Sequence, residues 1–231
     1  MCYLEKDALK KMAAEAALEQ IKDGMIIGMG SGSTVMHIIS LIAQRIKNEE
    51  IGIMAVPTSY ETAQLCISSG IRLTTLDEHP SLALAVDGAD EVDPNLNLIK
   101  GGGAALTKEK IVGSAAKLLV ILVDESKLVK TLGEIAPLPL EVLPFAKSTV
   151  LNQLKEFGTP QVRMSNKKLG PVVTDNGNFI IDIFDLKIKD YNKMEKQLNA
   201  IPGVIENGLF VNMADIVYVG SEKGVKILTK L

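Results

Sequence analysis

The stretch MIIGMGSGSTVMHIISLIAQRIK, residues 25–47, decides how the chain can fold. Its first six residues form an apolar run that ends in glycines, which indicates a short buried strand followed by a tight loop. From Thr34 to Lys47 the apolar residues recur at helical spacing. A strand, a glycine loop and a helix in this order form the first half of a βαβ unit, so the sequence predicts a parallel sheet.

The same alternation continues on both sides of this stretch. A segment with helix-forming composition precedes it at residues 5–20. Further apolar strands are predicted in IGIMAVP (51–57), IRLTTL (71–76), LALAVDGAD (82–90) and KLLVILVD (117–124). These elements predict an α/β fold with a Rossmann-like parallel sheet covered by helices. Because ligands of such sheets gather at the carboxyl ends of the strands, GSGST (30–34), DGADE (87–91) and VDES (123–126) are expected to face one crevice.

The second half of the chain differs from the first in its proline content and in its pattern of turns and strands. Three prolines between residues 137 and 144 predict a crossover between subdomains. Asn176-Gly177 lies between two β-rich runs and predicts a hairpin, and residues 215–228 predict a final strand pair. We therefore expect a Rossmann-like domain of residues 1–131 plus 206–231, with a smaller inserted α+β, ferredoxin-like domain at 132–205.

Composition narrows the classes of partner. A net charge of −3, 4% aromatic residues and no Trp disfavour nucleic acid. Residues 24–44 carry no charge, but glycines and hydroxyl residues interrupt them, so no membrane span is predicted. Cys2 and Cys66 form no CxxC pair, which suits a reducing cytoplasm. Two histidines are too few to suggest a His-based metal site, while a magnesium site made of carboxylates stays open.

The glycine loop at residues 28–34 is the first candidate for chemistry. Glycines let backbone N–H groups converge on an anion, and the start of the following helix adds its positive dipole end. The loop is neither a Walker A motif nor a good GxGxxG fingerprint. Phosphate binding and a plain strand-to-helix turn capped by Ser or Thr remain equally open from these residues alone.

Two further loops carry charged residues. Four carboxylates lie within residues 87–93, and the apolar strand before them places Asp87 at a sheet end. Three consecutive glycines follow Lys100, which suggests that the backbone must approach something closely. A helix predicted over 104–116 carries Glu109. Taken alone, Glu109 would be interpreted as an exposed helix carboxylate paired with a neighbouring lysine. Lys127 taken alone indicates a function no more strongly. Together, the loops suit a small phosphorylated, polyhydroxylated substrate.

The segments GMGSGST (28–34), VDGADE (86–91), NLIKGGGAALTKEK (97–110) and VDESKLV (123–129) resemble, in order and spacing, the A-type ribose-5-phosphate isomerases. LPLEVLP (138–144) and VVTDNGN (172–178) resemble later segments of that family, so the similarity covers nearly the whole chain. Ser31 stands where many members have Thr, and Lys108 where many have Arg. The hydroxyl and the charge are retained, so the resemblance still implies an active aldose–ketose isomerase.

The resemblance also implies roles for individual residues. Glu109 corresponds to the general base that carries a proton between C1 and C2 of the open-chain sugar, and Lys100 to the group that stabilises the enediolate oxygen. Asp87 would move protons on the sugar oxygens, and Asp90 would hold substrate hydroxyls or orient Lys100. The remaining substrate-binding residues, with Lys10 as a weaker candidate for the phosphate, would be Ser31, Gly32, Ser33, Thr34, Gly88, Ala89, Gly101, Gly102, Gly103 and Lys127. No redox cofactor or metal is implied, and a homodimer or a dimer of dimers is expected.

Three other functions have to be weighed against this one. A sugar-phosphate sensor domain would need the phosphate loop but not Glu109, and it is expected to carry a helix-turn-helix or a basic surface. A CoA-transferase-like enzyme could use a nucleophilic Glu and would form a thioester adduct that mass spectrometry detects. A sugar-phosphate deaminase or lactonase is disfavoured by the scarcity of histidine.

Overall fold

The computed structural model describes residues 3–188 and 190–230, with side chains described from Lys6 onward. Cys2 therefore lies outside the described residues. The helices are α1 Tyr3–Ala17, α2 Ser33–Glu49, α3 Tyr60–Ser68, α4 Leu106–Ala115, α5 Lys147–Leu154 and α6 Tyr191–Asn199. The strands are β1 Ile26–Met29, β2 Met54–Pro57, β3 Arg72–Leu73, β4 Leu84–Asp87, β5 Glu91–Val92, β6 Leu98–Ile99, β7 Leu119–Asp124, β8 Leu138–Val142, β9 Thr159–Val162, β10 Phe179–Phe184, β11 Val204–Asn207, β12 Leu209–Phe210, β13 Ile216–Ser221 and β14 Gly224–Thr229.

The described residues divide into two compact units. Unit 1 holds the residues up to Ala89, Lys108–Leu128, and those from Met213 onward. Unit 2 holds Asp90–Thr107 and Val129–Asn212. Each unit is built around its own hydrophobic core.

Unit 1 is organised by a seven-stranded sheet in the order β14-β13-β7-β4-β1-β2-β3. Every neighbouring pair is parallel except β13 with β14. The predicted parallel sheet and the predicted final strand pair are therefore confirmed. From β3 to β13 the order follows the Rossmann pattern, in which the chain winds outward from β1 in one direction and from β4 in the other. The pair β1 and β4 is thus the topological switch point of the sheet.

The core of unit 1 explains why these segments become strands. All six residues of β7 are buried, and so are all four of β4. Strands buried on both faces need continuous apolar runs, which these sequences supply. Helix α1 packs against this sheet. In the 3₁₀ turn that follows the helix, Glu19 Oε1 accepts from the Tyr218 hydroxyl at 2.9 Å, and Gln20 Nε2 donates to the same hydroxyl at 2.9 Å.

Unit 2 contains a four-stranded antiparallel sheet in the order β11-β8-β10-β9, with α5 between β8 and β9 and α6 between β10 and β11. This βαββαβ connectivity is that of a ferredoxin-like sheet, as predicted. A second, three-stranded sheet in the same unit has the order β12-β6-β5.

Two details of unit 2 differ from the sequence-based expectations. The proline-rich segment predicted as a crossover contains β8, which pairs with both β10 and β11. Pro139 is tolerated there because the pairing with β11 ends at Leu140, so no N–H is required from Pro139 on that side. The predicted division at 131/132 and 205/206 also differs from the compact units. Residues 90–107 belong to unit 2, because β5 and β6 pair with β12.

None of the described helices combines the length and the apolar character that a membrane-spanning helix requires.

Cys66 on α3 is fully buried, and burial raises the pKa of its thiol to about 11. Since the ordinary value is 9.0, the stability that this protonated thiol contributes is complete below pH 9 and is lost as the pH rises toward 11. We expect a Cys2→Ser variant to be inert to a thiol reagent at about pH 8 while folded, and to expose one thiol per chain after denaturation. Rapid labelling of the folded variant would contradict this.

Candidate functional site

The glycine loop that follows β1 leads directly into the first turn of α2. Gly32, at φ +100°, is the residue before the helix, and Ser33 and Thr34 are its first two residues. The first N–H groups of a helix lack partners within it, so they form a binding place for an anion together with the helix dipole. Lys10 Nζ donates to Ser33 Oγ at 2.9 Å, which brings a cation to the same helix end.

The hydroxyl of Ser31 faces a cluster of other hydroxyls. Its Oγ lies 2.8 Å from Thr58 Oγ1 and 2.8 Å from Ser59 Oγ. Thr62 Oγ1 adds a hydrogen bond to the carbonyl of Gly30 at 2.8 Å. The backbone N–H of Ser31 donates to Asp87 Oδ1 at 3.3 Å, so this residue links the loop to β4, the neighbouring strand of the sheet.

Asp87 is the last residue of β4 and is 3% exposed. Its Oδ1 also accepts the N–H of Gly88 at 2.7 Å. Gly30 leaves room for this carboxylate, since a Cβ at Gly30 would lie 2.1 Å from Asp87 Cγ. The loop Asp87–Ala89 and the loop after β1 thus meet at the switch point of the sheet, where α/β folds bind ligands.

Two further residues of unit 1 were singled out from the sequence. Helix α4 begins at Leu106 rather than at 104, so Glu109 lies in its first turn, and this residue is 6% exposed. Lys127 closes the 3₁₀ turn Glu125–Lys127 directly after β7, and the Asp124 carboxylate caps that turn through the N–H of Ser126 at 3.0 Å. The loops after β1, β4 and β7 therefore share one edge of the sheet, as expected.

The other predicted residues lie in unit 2. Lys100 is 3% exposed, and its Nζ lies 5.5 Å from the centre of the Phe210 ring. The glycine loop that follows is held by Asp90, whose Oδ2 accepts the N–H of Gly102 at 2.8 Å. Gly101 has φ +107°, and Gly102 and Gly103 are exposed.

Two residues that hold this loop were missed by the sequence analysis. Arg163 Nη1 donates to the carbonyls of Gly101 and Gly102 at 2.9 Å each. Glu141 is fully buried and accepts from the hydroxyl of Thr107, the second residue of α4 after the loop. The Glu141 carboxylate also accepts from Asn178 Nδ2 at 2.8 Å. The polar cluster TDNGN (174–178) is the available signal, but its pattern predicts a hairpin turn and its resemblance to the family implies no contact with this loop.

Comparisons with known proteins agree on one family. Residues 54–224 match the family model described as ribose 5-phosphate isomerase A (phosphoriboisomerase A). The ribose-5-phosphate isomerase A of Pyrococcus abyssi is 51% identical over 97% of this chain and 99% of its own length. That of Methanothermobacter thermautotrophicus is 52% identical over 95% of this chain and 97% of its own.

Solved structures give the same result. A D-ribose-5-phosphate isomerase in complex with phospho-erythronic acid has a TM-score of 0.94 at 50% identity, covering 97% of this chain and 99% of that one. The ribose 5-phosphate isomerase A of Methanocaldococcus jannaschii has a TM-score of 0.93 at 49% identity, covering 96% and 99%. The protein therefore belongs to the ribose 5-phosphate isomerase A family.

Proposed function

We propose that Glu109, Lys100, Asp87 and Asp90 catalyse the interconversion of D-ribose 5-phosphate and D-ribulose 5-phosphate, the reaction of this family, through an enediolate. The observation that carries the proposal is the buried carboxylate of Glu109 in the first turn of α4. A carboxylate is rarely buried this deeply in a folded protein, and the family motif KGGGAALTKE leads directly to this one.

Glu109 acts as the single base of the reaction. It removes the proton from C2 of the open-chain aldose and returns it to C1, and the electron pair of the C2–H bond forms the enediolate double bond while the carbonyl π electrons move to O1. A carboxylate suits this transfer because it can accept a proton from one carbon and deliver it to the adjacent carbon.

Lys100 and the aspartates act on the oxygens. Negative charge develops on the substrate oxygen only as the proton leaves carbon, so a fixed ammonium group stabilises the transition state more than the ground state. Asp87 moves protons between the sugar oxygens and assists ring opening. Asp90 holds substrate hydroxyls or orients Lys100.

The phosphate is assigned to the start of α2. Ser33 and Thr34 offer helix N–H groups and hydroxyls, and Gly32 leaves the approach to them open, since a Cβ there would meet no atom within 4 Å. Lys10 and Lys127 supply positive charge. Ser31 holds the loop and the Asp87 carboxylate in place through its hydrogen bonds, and the loop itself binds the substrate. The remaining substrate contacts are assigned to Gly88, Ala89 and Gly101–Gly103.

The alternative functions lack a supporting observation. The relatives that match over nearly their whole length are named as isomerases. Neither a sensor domain nor a CoA-transferase-like enzyme is favoured by these matches.

We further propose a homodimer or a dimer of dimers acting in the cytoplasm on a small sugar phosphate, without nucleic acid or membrane. The support is the family resemblance, the sparse cysteines and the net charge of −3. Light scattering coupled to gel filtration would test the assembly, and a monomer at working concentration would contradict it.

A Lys100→Met variant tests the proposed role of Lys100, and EDTA in the assay tests whether the reaction needs a metal ion. We expect wild-type protein to convert ribose 5-phosphate with undiminished rate in EDTA, and Lys100→Met to lose about 10²- to 10³-fold in kcat, since one charge-stabilising donor is removed. KM should change little by comparison. Lys47→Met, which removes an exposed lysine on α2, is the control and should behave as wild type. An unchanged kcat in Lys100→Met would refute the role of Lys100, and inhibition by EDTA would refute metal independence.

A further inference from the structure

The guanidinium group of Arg163, directly after β9, is bonded on two sides. Its Nε donates to Asp182 Oδ2 at 2.8 Å, and its Nη2 donates to Asp182 Oδ1 at 2.5 Å. Its Nη1 donates to the carbonyls of Gly101 and Gly102. Asp182 lies on β10 and is 7% exposed, so it provides a rigid anchor. The planar guanidinium group therefore makes four hydrogen bonds through its three nitrogens, a pattern that a lysine cannot reproduce.

The peptide between Gly101 and Gly102 is held at both ends. Its carbonyl faces the guanidinium of Arg163, and its N–H donates to the carboxylate of Asp90 at 2.8 Å. Because a trans peptide is planar, its C=O and N–H point in opposite directions. A positive group on the carbonyl and a negative group on the N–H stabilise the same orientation of the peptide dipole.

The next peptide has one end held in the same way. The carbonyl of Gly102 accepts from Arg163, so the N–H of Gly103 points away from the guanidinium. A cation on the carbonyl polarises the peptide and makes that N–H a stronger donor. Gly103 is exposed, and it is one of the residues assigned to substrate binding above.

The loop needs such support because its backbone is unusual. Gly101 has φ +107°, and Ala104 has φ +61° although it carries a side chain. A Cβ at Gly101 would lie 2.8 Å from Leu106 Cδ2, and one at Gly102 would lie 2.8 Å from Asp90 Oδ1. Conformations of this kind persist only where the surroundings hold them.

We propose that Arg163, anchored by Asp182, is a positioning residue for the isomerisation: it fixes the Gly101–Gly103 backbone and thereby sets the orientation of Lys100 and of the Gly103 N–H. The inference rests on the proposed function, in which Lys100 stabilises the enediolate. Arg163 itself touches loop backbone, so it acts through Lys100 and the loop.

The test starts from single variants. Arg163→Met should lower kcat by about 10- to 100-fold, because a small misplacement of catalytic groups has effects of this size. Arg163→Lys should recover little, since the fork is lost. Arg45→Met is the matched control: Arg45 also pairs with a carboxylate, on Glu49, and donates to the carbonyls of Leu18 and Ile21, in unit 1. It should keep the wild-type kcat. A wild-type kcat in Arg163→Met, or an equal loss in Arg45→Met, would overturn the proposal.

A double variant separates positioning from a general structural effect. If Arg163 acts through Lys100, Arg163→Met should cost less in a Lys100→Met background than in wild type, so the two losses are not multiplicative. Fully multiplicative losses would overturn the coupling. The Lys100→Met single variant reports independently on the proposed function.

Chemical rescue provides a second readout, which does not depend on the comparison of single and double variants. Millimolar guanidinium ion should restore part of the kcat of Arg163→Ala, and methylammonium of the same charge should not. Loss of activity caused by a weakened fold would respond in the opposite sense, because guanidinium destabilises folded proteins. Equal effects of the two ions would contradict the proposed geometry.

Discussion

A Glu109→Gln variant is expected to retain substrate binding and to lose about 10³- to 10⁴-fold in kcat, the upper part of the range for a positioned base. Gln keeps the shape of the side chain but cannot accept a proton from carbon. The buried position of Glu109 keeps water from easily replacing it. KM should change far less than kcat, because the interaction removed belongs to the transition state.

A matched control exists in the same unit. Glu61 also lies in the first turn of a helix, α3, but it is exposed. Glu61→Gln should therefore have the wild-type kcat, which separates the role of Glu109 from a general effect of a helix-start glutamate.

Isotope exchange gives a second measurement on the same variant. In deuterated water, wild-type protein should incorporate some solvent deuterium at C1 of ribulose 5-phosphate, since the carboxyl proton can exchange before it is delivered. Glu109→Gln should lose isomerisation and exchange together. A Glu109→Gln variant that turns over at the wild-type rate would remove Glu109 from the role of base, and Asp87 would then be examined.

The second large effect is expected from Gly30→Ala. The new Cβ would lie 2.1 Å from both Cγ and Oδ1 of Asp87, closer than atoms can pack. The carboxylate must move away from the N–H groups of Ser31 and Gly88, so we expect kcat to fall by about 10²-fold or more. The free energy of unfolding should fall by about 1–3 kcal/mol, as for other overpacked sites.

The control for this variant is Gly52→Ala, whose Cβ would meet Asp23 Oδ1 at 3.8 Å, an ordinary contact. Its effect on kcat and on the unfolding midpoint in urea should be small. In the double variant Gly30→Ala/Asp87→Gly the clash is removed. Its loss in free energy of unfolding should therefore be smaller than the sum of the losses in the two single variants, while kcat stays low. Wild-type activity in Gly30→Ala would show that the position of Asp87 is not critical.

The local elements of unit 1 could be predicted because each carries its own pattern. Strands β1, β4 and β7 are continuous apolar runs, and the loops after them end in glycines or carboxylates. Their order in the sheet could not be derived in this way, because an apolar run does not specify its neighbour. The resemblance to a known family assigned roles to residues, which composition and spacing alone did not.

The parts that were missed depend on contacts between distant residues. Strand β8 contains proline, and its pairing with β10 and β11 is visible only in three dimensions. Arg163 belongs to no motif, and it meets Gly101 from 62 positions away in the chain. The family resemblance implies that Ser31 is a substrate ligand, while its contacts with Thr58 and Ser59 depend on how the loop after β2 packs.

The interleaving of the two units has a consequence for biosynthesis. The chain passes between unit 1 and unit 2 at residues 89/90, 107/108, 128/129 and 212/213. Strand β13 pairs with β7, and α1 packs on it, yet β13 leaves the ribosome after all of unit 2. While translation continues, β7 therefore has an unpaired edge and α1 lacks part of its packing surface. The four-stranded sheet of unit 2 has all its strands by Asn207, so it can form while the nascent unit 1 still waits for β13.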